Sequence, residues 1–180
     1  MRNVFLFSTL VLFISASTPD SPESSINWVS FEEAMRLNRD EPRKILIDLY
    51  TDWCGWCKKM DKTTYSNDVV VNYINKNFYA VKFDAEQRED VDFQGHTFKF
   101  VPSGRRGYHQ LAAALTNNQL SYPTTVFMDE ELRIISPVPG YIGTAEFHTI
   151  INFIAREKYK TTPYKEFQQA FEEVNDSLDL

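Results

Sequence analysis

Residues 44–59 constrain the fold more than any other part of this sequence. They begin with an apolar run at 45–50 that only Asp48 interrupts, and they end with Cys54 and Cys57 in a C-x-x-C arrangement. A continuous apolar run is typical of a strand in the middle of a sheet that is covered on both faces. The segment therefore predicts a buried strand, a short turn that carries the cysteines, and the start of a helix.

The two cysteines are the only ones in the chain, and at a helix start they can close a disulfide with little backbone movement. Cys54 would face free backbone N–H groups and the positive end of the helix dipole, which favour the thiolate. Cys54 is thus the candidate nucleophile and Cys57 the candidate resolving cysteine. A small structural disulfide and a zinc site are the alternatives, although the three histidines show no ligand spacing.

The run WCGWCK at residues 53–58 resembles the W-C-x-x-C-K active-site signature of the thioredoxin superfamily, and Tyr122-Pro123-Thr124-Thr125 follows further along. The dipeptide between the cysteines is Gly-Trp, where typical thioredoxins have Gly-Pro. The resemblance covers about residues 28–158 and is greatest to exported bacterial thioredoxin-like proteins. It implies a thioredoxin-like fold and a redox-active cysteine pair without a bound cofactor or metal.

The resemblance also implies roles for residues beyond the cysteines. In thioredoxins the acid that matches Asp48 helps to take the proton from the second cysteine. From the residues alone, a carboxylate in an apolar strand is costly unless it is neutralised or partnered, and Lys82 in the next predicted strand could pair with it. The alternatives are an edge-exposed acid and a solvent-facing lysine.

Pro123 resembles the cis-proline that faces the cysteine pair in this fold, since cis bonds are essentially confined to X–Pro. The backbone of Tyr122 would then pair with an extended substrate. Trp53 is expected to form an apolar contact surface, or simply to pack, and Trp56 is expected to be partly exposed. A trans turn proline is the alternative for Pro123.

The order of elements predicts one α/β domain at 28–158, with a central mixed sheet of four or five strands flanked by helices. The predicted strands are 45–50, 78–83, 124–128 and 132–136, and the predicted helices are 30–39, 54–63, 69–75 and 144–157. Residues 159–180 are predicted to add a C-terminal helical extension. A strand, a helix and a second strand in this order form a parallel crossover unit.

Residues 85–121 are predicted to be an insertion before Pro123. They comprise a β-hairpin with Gly95 at its turn, a basic loop at 102–107 and a helix at 108–116. Four basic residues of the insertion could line a substrate groove, and one of them could tune a thiolate through its imidazole. They are His96, Arg105, Arg106 and, as the candidate for tuning, His109; the alternative is that all four are ordinary loop residues.

The N-terminus resembles a signal peptide at residues 1–17, with Arg2 before a short apolar core and small residues after it. A flexible leader at 18–27 would follow. We therefore expect an exported protein, periplasmic or secreted, with an uncleaved anchor as the alternative. In an oxidising compartment a cysteine pair is either a structural disulfide or a redox catalyst.

Thiol–disulfide exchange on protein substrates is the function that these features predict. The net charge of −6 and the lack of a basic patch argue against nucleic-acid binding. A reductase is the preferred direction, and it would need an electron donor, expected in the membrane. The alternatives are a disulfide oxidase or isomerase, and a non-catalytic binding module or chaperone. The sequence indicates neither the oligomeric state nor the substrate.

Overall fold

The computed structural model describes residues 25–178, with side chains up to residue 174. The predicted signal peptide and most of the predicted leader lie outside the described residues. The first half of the chain contains β1 (Trp28–Val29), α1 (Phe31–Asp40), β2 (Lys44–Tyr50), α2 (Gly55–Thr63), α3 (Asp68–Asn77) and β3 (Phe78–Asp84). The second half contains β4 (Val91–Phe93), β5 (His96–Phe98), β6 (Phe100–Ser103), β7 (Arg106–His109), α4 (Gln110–Leu115), β8 (Thr124–Met128), β9 (Ile134–Pro139), α5 (Thr144–Ala155), a 3-10 turn (Lys158–Lys160) and α6 (Tyr164–Leu178).

Five strands form the central sheet in the order β1-β3-β2-β8-β9. Strand β2 is parallel to β3 and antiparallel to β8, and β9 is antiparallel to β8. The predicted α/β class with a central mixed sheet is therefore confirmed. Strand β1 was not predicted, because two residues are too short to show an alternating pattern.

Strand β2 lies at the centre because both of its faces are covered. Leu46 belongs to one apolar cluster, with residues of α2, α3 and α5, while Ile45 and Ile47 belong to a second cluster, with residues of α1 and α4. Since side chains alternate along a strand, Asp48 lies on the same face as Leu46. That face is covered by α2, the helix that carries the cysteines.

The helix starts follow from local capping. The hydroxyl of Ser30 accepts a hydrogen bond from the N–H of Glu33, as expected for the start of α1. The cap of α3 is Asn67, one residue before the predicted Asp68, because its side-chain oxygen accepts from the N–H groups of Val69 and Val70. Both helices begin within one residue of their predicted positions.

The insertion contains two hairpins and a helix. The first hairpin, β4–β5, turns at Gly95 as predicted. The predicted basic loop at 102–107 is wrong, because β6 and β7 pair there as a second hairpin. Gly107 permits this pairing, since a Cβ atom at that position would lie 2.2 Å from Cζ of Phe100. Helix α4 accordingly begins at Gln110, two residues later than predicted.

The C-terminal extension is dominated by α6, which packs against α5. The buried ring of Phe167 lies 5.3 Å from that of Phe153, measured between centroids. Burial of these rings holds the added helix on the domain through apolar contact. Within residues 25–178, no helix has the length and apolarity that crossing a membrane requires.

Replacing Ile47 with Ala should lower the free energy of unfolding by about 2–5 kcal/mol, because it leaves a cavity in the core. Ile47 is fully buried in β2, whereas Ile134, in the edge strand β9, is 41% exposed. The matched control Ile134→Ala should cost under about 1 kcal/mol. Urea denaturation of both variants measures the difference, and equal losses would contradict the central position of β2.

Candidate active site

Cys54 and Cys57 form a disulfide at the start of α2. Their sulfur atoms are 2.11 Å apart and their Cα atoms 5.3 Å apart. Cys54 is the N-cap of the helix, and its Sγ accepts a hydrogen bond from the N–H of Cys57 at 3.0 Å. After reduction, that N–H and the helix dipole would stabilise a thiolate on Cys54. Sequence and structure thus agree on the local environment of this sulfur.

Asp48 and Lys82 are paired across neighbouring strands behind the disulfide helix. They lie directly opposite each other in β2 and β3, and the Lys82 Nζ atom is 3.2 Å from Oδ2 of Asp48. The same ammonium also bonds Asp61 of α2. Because residues four apart share a helix face, Cys57 lies on the face of α2 that meets this charge cluster.

Burial raises the pKa of Asp48 to about 6, against the opposing effect of the Lys82 charge. Its Oδ1 atom is buried without a hydrogen-bond partner among the described residues. A buried carboxyl oxygen without a donor is well suited to carry a proton itself. Burial lowers the pKa of Lys82, but the charges of Asp48 and Asp61 outweigh it and the net shift is upward.

Three aromatic rings surround the Lys82 ammonium. The ring centroids of Trp28, Tyr50 and Tyr65 lie 5.1, 5.2 and 5.8 Å from Nζ. Such contacts offset part of the cost of removing the charge from water. They explain how a lysine can stay charged beside the buried acid.

The Tyr122–Pro123 peptide bond is cis, and Pro123 is buried at the start of β8. The ring of Tyr122 meets that of Trp53 edge to face, with centroids 6.0 Å apart. This contact joins the cysteine segment to the proline segment, as expected if both belong to one site. Among the described residues, no hydrogen bond to the backbone N–H or C=O of Tyr122 is found.

The two tryptophans of the motif are exposed, Trp53 by 51% and Trp56 by 57%. The Trp53 indole N–H donates to Oε1 of Glu86 at 3.1 Å, and the guanidinium of Arg106 lies 4.2 Å from the ring centroid. Trp56 packs against Tyr141 with centroids 5.5 Å apart. Both indoles are therefore held in place while one side of each stays open to solvent.

Only one of the four basic residues considered in the insertion contacts the motif. Arg106 stacks on Trp53, whereas Arg105 is exposed and His96 packs on Phe98.

His109 is fully buried and caps α4, because its Nδ1 accepts a hydrogen bond from the N–H of Leu111. Its Nε2 donates to the backbone carbonyl of Glu89. Burial lowers its pKa. The hypothesis that His109 tunes a thiolate is not supported, since both ring nitrogens are engaged within the insertion.

Sequence reasoning missed three residues around the disulfide. Asp61 was detectable, because it lies four residues after Cys57 on the same helix face. Glu86 and Tyr141 had no signal, since they come from loops whose course depends on the tertiary structure. Within residues 25–178 no three His, Cys, Asp or Glu side chains are placed to hold a metal ion.

Known proteins are similar to this chain over most of its length. A family model described as "Thioredox_DsbH: Protein of unknown function, DUF255" matches residues 15–179. "Uncharacterized protein B0495.5" of Caenorhabditis elegans is 29% identical over 138 residues, which are 73% of this chain and 17% of that protein. "Thiol:disulfide interchange protein DsbD" of Pectobacterium atrosepticum is 29% identical over 141 residues, which are 76% of this chain and 21% of that protein. The chain thus spans under a quarter of either relative.

Solved structures share the fold at low sequence identity. One described as "DsbH Oxidoreductase" superposes with a TM-score of 0.53 at 18% identity, covering 78% of this chain and 91% of its own. A thioredoxin-fold protein from Helicobacter pylori gives a TM-score of 0.55 at 20% identity, covering 76% and 86%. These matches confirm the predicted thioredoxin-like fold.

Asp48→Asn should stabilise the protein at pH 8 by up to about 3 kcal/mol, since each pKa unit corresponds to about 1.4 kcal/mol. The pKa of Asp48 in the folded chain, about 6, lies above the ordinary 3.8. The folded state therefore keeps a proton that the unfolded chain has lost, and stability falls as the pH rises from about 4 through 6. Urea denaturation at several pH values measures this slope.

The control for this prediction is Asp52→Asn, which makes the same chemical change at an exposed position of the same segment. This variant keeps Asp48, so it should still lose stability as the pH rises from about 4 through 6. Asp48→Asn should converge with the wild type near pH 4. Parallel profiles for the wild type and Asp48→Asn would contradict a raised pKa at the buried carboxyl.

Proposed function

The chain belongs to the Thioredox_DsbH family, within the thioredoxin superfamily that its sequence predicted, and from this premise we propose that it is a thiol–disulfide oxidoreductase acting on protein disulfides. The single observation that carries the proposal is the closed Cys54–Cys57 pair at the N-terminus of α2. Similarity to a protein named for thiol:disulfide interchange supports the same chemistry. The proposed site needs no cofactor beyond the two cysteines.

The first step is attack by the reduced protein on a substrate disulfide. The Cys54 thiolate bonds to one substrate sulfur, the substrate S–S bond breaks, and the electron pair leaves on the other sulfur, which takes up a proton. The position of Cys54 as N-cap supports this role, because the N–H groups of the first helical turn favour its charged form. The product is a mixed disulfide between Cys54 and the substrate.

The second step releases the substrate. Cys57 attacks the sulfur of Cys54, closes the intramolecular disulfide and expels the remaining substrate thiolate. Its thiol must first lose a proton, and we assign the acceptor role to Asp48. A carboxyl with a pKa of about 6 is ionised at neutral pH and still accepts a proton readily. Lys82 orients it through the ion pair at Oδ2, and Oδ1 remains free.

The substrate would bind as an extended strand beside the disulfide. The N–H and C=O of Tyr122 make no described hydrogen bonds, so they are available for pairing with a substrate backbone. The Tyr122 ring meets that of Trp53, and the exposed rings of Trp53 and Trp56 offer apolar surface on the cysteine side. Main-chain pairing fixes the course of the substrate backbone and leaves any selection among sequences to the side chains around the cysteine.

The finer proposal is a reductase that works after export. The signal-like segment at 1–17 supports export to an oxidising compartment, where the cysteine pair would have to be reduced again after each turnover. A dithiol carrier in the membrane would supply these electrons. The same steps run in reverse describe an oxidase, and an isomerase would combine both directions without net electron transfer; the redox potential distinguishes a reductase from these two.

Cys57→Ala should accumulate mixed disulfides with substrate proteins, because the first step proceeds and the second cannot. Cys54→Ala should trap none and should lose all turnover of a disulfide-bonded peptide with dithiothreitol as reductant. Non-reducing electrophoresis after acid quenching measures the trapped species. A non-catalytic binding module would behave differently: Cys54→Ala would keep the biological effect and client affinity of the wild type.

A redox titration of the protein lacking residues 1–17 should give a midpoint near −250 mV or lower if the protein is a reductase; dithiols of this fold range from about −270 to −120 mV. Fluorescence of Trp53, which precedes Cys54, and of Trp56, which lies between the two cysteines, follows the reaction. A midpoint near −150 mV or higher would reverse the proposed direction, to that of a disulfide donor.

A further inference from the structure

Two aromatic pairs flank the disulfide, and a cation lies on each. Trp53, next to Cys54, pairs with Tyr122, and the Arg106 guanidinium lies 4.2 Å from the Trp53 centroid. On the other side, the Lys59 Nζ atom lies 4.8 Å from the Trp56 centroid and 4.9 Å from that of Tyr141. The first cation comes from the insertion and the second from the disulfide helix.

Both cations are exposed, and the ion pairs of the described residues include neither of them. Their ring contacts hold the charges beside the disulfide. A guanidinium that uses its flat face on a ring keeps its N–H edges free for a carboxylate, and an ammonium keeps its donors. The arrangement thus places two exposed positive charges, neither of them in a described ion pair, on rings of the cysteine motif of an acidic protein.

Acids lie close to the Trp53–Tyr122 pair: the charges of Glu86 and Asp84 act on Tyr122, but neither acid forms a described ion pair with Arg106. Glu86 accepts the Trp53 indole N–H, which orients the ring on which Arg106 stacks. Asp52 is exposed and has no described ion pair. The aromatic–cation pairs are therefore built from several elements at once: β7 and the loops after β3 and β9 all contribute to them.

We propose that this surface selects substrate segments that carry a carboxylate within a few residues of the reactive cysteine. The inference rests on the proposed function and names its substrate class: an extended protein segment with Asp or Glu flanking the cysteine. In the mixed disulfide the substrate sulfur is bonded to Cys54, between Trp53 and Trp56. The substrate side chains next to the reactive cysteine then lie over the rings of Trp53 and Trp56. There Arg106 and Lys59 favour a substrate carboxylate over a neutral side chain.

The test compares two disulfide-bonded peptides that are identical except for Glu or Gln on each side of the cysteines. The wild-type protein should reduce the Glu peptide with the higher kcat/KM, by about twofold to fivefold for each cation, as expected for exposed ion pairs. Raising the salt from 0.05 to 0.5 M (approximate values) should remove the preference, because screening weakens such pairs. Arg106→Gln and Lys59→Gln should each reduce it, and the double variant should abolish it.

The matched control is Lys62→Gln, which removes an exposed cation of α2 that has no described ring contact. It should keep the full preference, as should Lys59→Arg, which keeps the charge. Equal rates for the two peptides with the wild-type protein would overturn the inference. A preference that survives in the double variant would overturn it as well, because the selection would then come from other residues.

A second measurement separates this inference from the proposed function. Cysteine-free versions of the peptides, with Ser at each cysteine, are titrated against the oxidised protein while tryptophan fluorescence is followed. Tighter binding of the Glu peptide that is lost in the double variant supports the inference. If no disulfide is reduced in that case, only the proposed function is contradicted. Reduction of both peptides without any difference in rate or binding leaves the proposed function intact and overturns the inference.

Discussion

The burial of Asp48 in the central strand is the constraint on which the rest of the site depends. A carboxyl with 1% of its surface exposed must be partnered or protonated, and the structure provides for both. Lys82 contacts one oxygen, while the other is left without a donor. The lysine is in turn held by Asp61 and by rings from β1, β2 and the segment after α2. One buried charge thereby ties the cysteine helix to the middle of the sheet.

Much of this architecture could be predicted from the sequence, and the reason differs from element to element. The apolar run of β2 and the Cys54–Cys57 spacing identify the core and the site together, and Asp48 is conspicuous as the one polar residue in that run. The pairing with Lys82 could be proposed because the two strands are parallel neighbours. Hairpin β6–β7 could not, because Pro102 and Gly107 are turn-forming residues that conceal a strand pattern. Contacts such as Trp53 with Arg106 depend on tertiary structure alone.

The insertion joins the domain through apolar side chains of β4 and α4, which belong to the second apolar cluster, and through a buried imidazole. His109 ends β7, caps α4 and packs its ring on Phe83 of the central sheet, with centroids 5.3 Å apart. Its backbone N–H donates to the carbonyl of Ala85 at the end of β3. This anchor fixes the end of the second hairpin, so that Arg106 three residues earlier meets the exposed indole of Trp53. A residue that seemed suited to proton chemistry is thus structural, and nearby Arg106 lies on an exposed indole of the cysteine motif.

The two edges of the central sheet are closed in different ways. Strand β1 is two residues long, and the outer strand β9 contains Pro137 and Pro139, which have no N–H to offer. Edges of this kind resist the addition of further strands and so protect a protein from self-association. Under the proposed function, the protein would meet extended chains whose strands are able to pair with it. Here such a chain is offered little backbone at the outer strand, whereas Tyr122 presents free backbone groups close to the disulfide, so pairing is directed to the place where chemistry can follow.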